Sequence, residues 1–156
     1  MKICCFTGHR TVPAEVRAQL IVRLDRLLEE LFAQGFTEFR TGGARGFDTL
    51  AALRVLYLRE KHREVRLSLI LPCRDQTRGW PLGEKMIFED ILSRADSARV
   101  LYESYMSGCM HARNRALVKG SDLCVAYLTD RRGGTQYTCN YANAAGVPLY
   151  NIANEL

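Results

Sequence analysis

Phe36-Thr37-Glu38-Phe39-Arg40-Thr41 runs straight into Gly42-Gly43-Ala44-Arg45-Gly46-Phe47-Asp48, and this stretch decides the architecture. Its first half reads as a short strand with aromatic and β-branched residues. Its second half is a turn whose glycines permit positive φ and close approach of other groups. Leu50, Leu53, Leu56 and Tyr57 then recur at helical spacing. A strand, a glycine-rich turn and an amphipathic helix form half of a βαβ unit.

The same grammar repeats in both directions. Upstream, Ile3 to Thr7 is an apolar strand, and Val16, Leu20, Leu24, Leu27, Leu28 and Leu31 mark a helix opened by Pro13 and Glu15 and closed by Gly35. Downstream, Val65 to Leu71 is a strand that Pro72 is expected to stop. A polar loop through Trp80-Pro81 leads to a helix near Glu84 to Ala95 and a strand from Ala98 to Tyr102. His111 to Lys119 reads as a helix, Leu123 to Leu128 as a strand, Gly133 to about Ala145 as the last helix and Val147 to Ile152 as a closing strand. Nearly continuous apolar strands alternating with helices predict an α/β Rossmann-like three-layer sandwich, a mainly parallel sheet with helices on both faces. At 156 residues the chain makes one domain.

Composition narrows the functional classes. No apolar run approaches the roughly 18 residues of a membrane span, and Gly8-His9-Arg10 interrupts the N-terminal apolar run, so neither a membrane partner nor a signal peptide is expected and the cytoplasm is the expected location. The six cysteines, at positions 4, 5, 73, 109, 124 and 139, form no C-x-x-C pair and read as small buried hydrophobes. Cys109 and His111 alone are too few ligands for a metal, so no metal and no cofactor are expected. The formal charge is +5, carried by 18 Arg and only 4 Lys. The planar Arg fork suits phosphate and carboxylate, which fits an anionic partner.

In open α/β sheets ligands bind beyond the carboxyl ends of the strands. The loops expected there are Thr7-Gly8-His9-Arg10, the Thr41 to Asp48 turn, Pro72-Cys73-Arg74-Asp75-Gln76 and Thr129 to Thr135. Gly42, Gly43 and Gly46 would let backbone N–H groups face an anion, with Arg45 as a fork on phosphate. Asp48 would orient Arg45, contact a ribose hydroxyl or complement the helix dipole; a plain capped turn explains the same residues. Gly133-Gly134-Thr135 before a helix forms a second anion cradle, and two cradles at one edge imply a diphosphate or a phosphate plus another polar group. The stretch is neither a P-loop nor G-x-G-x-x-G. His9 and Asp48 are the candidate acid/base groups, and Arg113, Asn114 and Trp80 are further candidates for the cleft, Trp80 as a stacking surface.

Taken in order, Thr7-Gly8-His9-Arg10, Gly42 to Asp48, Pro72-x-x-x-Gln76 with Trp80, Arg113-Asn114 before Ser121-Asp122, and Gly133-Gly134-Thr135 resemble the YpsA-type family of the SLOG superfamily of Rossmann-like proteins, which includes DprA and LOG. The resemblance covers nearly the whole chain and implies a nucleotide or nucleotide-derivative site at this sheet edge. Gly43 to Asp48 is similar to the DprA loop that engages single-stranded DNA. The LOG motif P-G-G-x-G-T-x-x-E ends in a catalytic Glu, whose place here is taken by Thr138, so the resemblance argues against LOG-type hydrolysis. The expected partner is a small phosphate-bearing nucleotide-type ligand, with nucleic acid and an N-glycosidic or phosphoester substrate as alternatives; a homo-oligomer is left open.

Overall fold

The computed structural model describes residues 1–156. Its elements are β1 (Lys2–Gly8), α1 (Ala14–Ala33), β2 (Phe36–Thr41), α2 (Phe47–Lys61), β3 (Arg66–Cys73), α3 (Leu82–Arg94), β4 (Ser97–Tyr102), α4 (Cys109–Val118), β5 (Leu123–Tyr127), α5 (Gly133–Ala144) and β6 (Leu149–Asn151), followed by a 3₁₀ turn at Ile152–Glu155. The six strands form one sheet in the order β4-β3-β2-β1-β5-β6, and every neighbouring pair is parallel. This is the three-layer Rossmann-like α/β fold.

The order of strands explains which face each helix covers. The chain begins in the middle and moves outward through β2, β3 and β4, then returns across the sheet to β5 and β6. Crossovers between parallel strands are right-handed, so α1, α2 and α3 fall on one face and α4 and α5 on the other. Two cores result. The larger, of 24 residues, packs Cys4, Phe6 and Phe39 of the sheet against the α1 leucines and α2; the smaller joins Cys5, Ile70 and Cys124 to Leu117, Val118 and Ala142. Cys4 and Phe6 thus face one layer and Cys5 the other, the alternation a doubly covered strand requires. All six cysteines are buried and unpaired.

Four local expectations shift. Pro72 does not end its strand: β3 runs to Cys73, and the β3–β4 register goes from Leu71↔Val100 to Cys73↔Tyr102 around it. The closing strand is only Leu149–Asn151, and Ile152 instead starts the 3₁₀ turn and fills the larger core. α4 begins two residues early, at Cys109, after a left-handed Gly108. Tyr57 lies on the solvent side of α2, because Val55 and Leu58 take the core positions, and its ring lies beneath Arg54 and Lys61. No helix is long and apolar enough to cross a membrane.

Candidate functional site

The chain leaves β1 toward β2 on one side and later adds β5 on the other, so the strand order reverses between β1 and β5. Loops diverge at such a point and leave a crevice at the carboxyl ends. A cavity of about 420 Å³ opens there, and a second of about 300 Å³ adjoins it toward β3. Arg10, Ala44, Met110 and Arg113 belong to the walls of both, so the two form one bipartite cleft.

The β1 and β2 loops are stitched together before any ligand is considered. The Phe47 N–H donates to the His9 carbonyl at 3.1 Å. Gly46 has φ +77°, and a Cβ there would collide with the backbone of His9 and Arg10. On Gly8 a Cβ would strike the Phe47 ring. The ring of Phe47 in turn stacks on Tyr127, with centroids 5.6 Å apart, which ties α2 to the end of β5.

Arg113 is the buried centre of the site. One turn into α4, it is only 4% exposed. Its Nε donates to Asn114 Oδ1 at 2.8 Å and its Nη1 to the Gly42 carbonyl, which leaves Nη2 without a protein partner. Burial lowers its pKa, opposed by the charge of Asp48. An arginine nevertheless stays charged at neutral pH. No carboxylate lies within ion-pair distance of it, so a buried positive charge stands at the junction of both cavities.

Asp48 is equally buried, at 4% exposure, and lines the larger cavity. Its carboxylate accepts the Ala44 N–H at 3.3 Å. Burial raises its pKa above the ordinary value, while Arg113, the amides of Ala44 and Gly42, and Arg10 pull the other way. Asp48 therefore holds the glycine turn closed. It does not brace Arg45, which forms an ion pair with Glu84 at 2.7 Å.

On the opposite wall, α5 begins at Gly133 with no side-chain cap. The N–H groups of its first turn are the orphan donors of a helix N-terminus, and Gly133, Gly134 and Thr135 line the larger cavity. Nothing lies within 4 Å of where a Gly133 Cβ would be, and Asn114 Nδ2 is the neighbour of Gly134. His9 joins the two walls: its Nε2 accepts the N–H of Thr129 at 2.9 Å and of Asp130 at 3.2 Å. With Nε2 as acceptor the ring proton belongs on Nδ1, and the side chain positions the β5 loop.

The structure brings Thr7, Gly8, His9, Arg10, Asp48, Arg113, Asn114, Gly133, Gly134 and Thr135 to one cavity. Arg45 and Trp80 line the second, where Trp80 meets Phe88 edge to face at 5.7 Å. Gly42, Gly43 and Gly46 lie behind the wall: Arg113 covers Gly42, Leu71 and Gln76 crowd Gly43, and the β1 loop covers Gly46. Arg74 points away and pairs with Glu103 on the surface. Thr138, where LOG proteins carry Glu, is fully buried and returns its hydroxyl to the Gly134 carbonyl at 2.8 Å. Met110 is a wall residue that the sequence did not point to, and Ala44, Arg132 and Gln76, which lie in the expected loops, had no role there; Gln76 donates to the Gly43 carbonyl at 2.8 Å. The sequence offers His111 only as a metal ligand; here its ring stacks on Tyr137 at 3.9 Å, and no group of three metal-ligating side chains exists. Helical spacing from Arg113 would have found Met110, one turn earlier on the same face.

Residues 4–152 match the YspA SLOG family. The SPbeta prophage-derived protein YoqJ of Bacillus subtilis, described as uncharacterized, is 27% identical over 77% of this chain and 78% of its own. A UPF0398 protein of Halalkalibacterium halodurans is 29% identical over 88% of this chain and 78% of its own. Among solved structures, DNA processing protein A of Helicobacter pylori, described for its single-stranded DNA binding mode, superposes with a TM-score of 0.68 at 19% identity, covering 99% of this chain and 71% of that one. DprA of Streptococcus pneumoniae gives 0.68 at 18% identity, covering 95% of this chain but 49% of that one. At such identities these structures share the fold with this chain.

Proposed function

The chain belongs to the YspA SLOG family, and on that premise we propose that it is a binding module for a small phosphate-bearing nucleotide or nucleotide derivative, an adenine nucleotide or an ADP-ribose-like molecule, which it senses, carries or sequesters. The observation that carries this reading is Arg113: a buried guanidinium with a free Nη2, facing a cavity whose other wall is an uncapped helix N-terminus. A buried charge with no carboxylate in ion-pair contact is costly even with Asp48 nearby, and an anion bound against it recovers part of that cost. Phosphate would lie between Arg113, Arg10 and the Gly133-Gly134-Thr135 amides. The remainder would extend past Met110 toward Arg45 and Trp80, whose ring offers a stacking surface. The six cysteines, none in a disulfide, fit work in a reducing cytoplasm.

A thermal-shift panel of AMP, ADP-ribose, NAD, cyclic nucleotides and short oligonucleotides tests the proposal. At about a hundred times the dissociation constant a ligand adds about 2.7 kcal/mol, enough to raise the midpoint by several degrees. Arg10→Ala should weaken the hit about ten-fold or more. A panel without any shift would sink the reading.

Two other readings rest on specific observations. The likeness to the DprA fold, with exposed Arg78 and Arg132 on the cleft walls, supports single-stranded nucleic-acid binding; it requires affinity that falls steeply with salt. Asp48, a cavity-lining carboxyl with a raised pKa, supports N-glycosidic or phosphoester hydrolysis, and chromatography of nucleotides after long incubation would show the products.

A further inference from the structure

The exposed apolar surface of this protein is unevenly placed. Of its eleven exposed large hydrophobic side chains, seven fall between Leu82 and Met106, which comprise α3, β4 and the loop after them. α3 buries only Ile91 and leaves Leu82, Met86, Ile87 and Leu92 exposed. Beside it lies β4, an edge strand, Ser97-Ala98-Arg99-Val100-Leu101-Tyr102, free along one side. Edge strands are usually blunted by Lys, Pro or a covering segment, and this one has a single charge, Arg99, and no Lys or Pro.

The direction of its free hydrogen-bonding groups can be read from its inner bonds. The Asp96 N–H donates to the Leu67 carbonyl, and the Tyr102 carbonyl accepts from the Arg74 N–H, so even-numbered positions turn toward β3. Backbone groups alternate along a strand, so Arg99 and Leu101 present theirs outward, and Glu103 follows one residue past the end of β4. Arg99 has no ion-pair partner, and the Glu103 carboxylate, 83% exposed, accepts from Arg74 Nε at 2.9 and 3.0 Å, a surface pair that Arg99 of a second copy would join. Arg99 on the strand and Glu103 just past its end thus stand two residues to either side of Leu101.

We infer that the chain forms a homodimer in which β4 pairs antiparallel with β4 of a second copy about a two-fold axis at Leu101. Leu101 then faces itself as a hydrogen-bonded pair, Arg99 stands opposite Glu103 of the other copy at both ends, and Val100 stands opposite Tyr102. The alternative axis at Arg99 is disfavoured because it sets two arginines against each other. The charge pattern is therefore complementary to itself, which selects a second copy over an unrelated strand. The paired sheet is continuous across the axis, and the exposed α3 faces flank it. This inference is independent of what the cleft binds.

Sedimentation velocity of the full chain from micromolar to several hundred micromolar should show a species of twice the 17.7 kDa chain. Arg99→Glu and Glu103→Arg, each exposed and compatible with the fold, should each weaken dimerisation about ten-fold or more, and the double reversal should restore it. In the dimer the Leu101 amide should gain protection from hydrogen exchange with rising protein concentration. A monomer at every concentration overturns the proposal. So does a dimer indifferent to both single reversals, which would place the interface elsewhere.

Discussion

The guanidinium of Arg113 occupies the space that a side chain on Gly42 would fill, and its Nη1 donates to the Gly42 carbonyl. This one contact joins α4 to the loop after β2 across the carboxyl edge of the sheet. It also gives the first glycine of the turn a purpose different from ligand approach. Gly42 is small so that a buried arginine can lie against it.

Gly42→Ala is therefore expected to displace Arg113 and to cost about 1–3 kcal/mol in urea unfolding, the range for overpacking a tight site. The same substitution should reduce the thermal shift given by AMP or ADP-ribose. Unchanged ligand response in a folded Gly42→Ala protein would remove Arg113 from the anion site.

The glycines of the two turns should differ in tolerance. Gly46 combines φ +77° with backbone contact from His9 and Arg10, so Gly46→Ala meets both strain and collision. Gly133, with φ +79°, faces open space and meets strain alone. Gly46→Ala should be the more destabilising by about 1 kcal/mol or more, as read from paired denaturant curves. Equal losses would mean that the β1 loop yields easily.

Asp48 gives the protein a pH dependence of definite sign. Its folded pKa lies above 3.8, chiefly through burial, so the folded state holds this proton more tightly than the unfolded chain. The contribution favours folding below about pH 3.8 and is lost as pH rises through the folded value. Asp48→Asn keeps an acceptor for the Ala44 N–H but cannot ionise. Relative to the wild type, this variant should gain stability as pH increases across that window. A stability difference that stays flat with pH would show that the charge is fully compensated where it lies.

His9→Ala should loosen the loop after β5 without unfolding the domain. Thr129 and Asp130 lose the acceptor for their N–H groups, and water replaces it at this exposed position. Amide exchange at these two residues should accelerate several-fold, while global stability falls by no more than about 1.5 kcal/mol. If both amides exchange as before, His9 does not hold the loop.

Much of this molecule was legible from residue order. The Leu20-Leu24-Leu28-Leu31 stripe, the apolar Ile3 to Phe6 run and the Gly-rich turn after Thr41 each carry a local periodicity that one short window reveals. His9, Asp48 and Gly133 stand in or beside loops at the carboxyl ends of strands, where the crevice of an open α/β sheet is expected. The place of Arg113, a helix residue that a solvated face would explain as well, was open until α4 was packed. The Pro72 stop failed because a strand may carry proline where the ladder passes around it, and that depends on where β2 ends relative to β4. The Tyr57 assignment failed because helical spacing alone admits more than one core face, and Val55 and Leu58 were the residues that met the sheet.

The chain's own order of strands and helices thus set the layers, the parallel sheet and the edge at which a ligand would bind, since these follow from short-range pattern and the handedness of crossovers. Contacts between distant segments settled the rest. Arg113 lies 71 residues from Gly42 and His9 lies 120 from Thr129, so nothing local distinguishes glycines that admit an anion from glycines that admit an arginine. Burial, which requires the whole packed chain, turned Asp48 from a helix-cap candidate into the group that closes the turn.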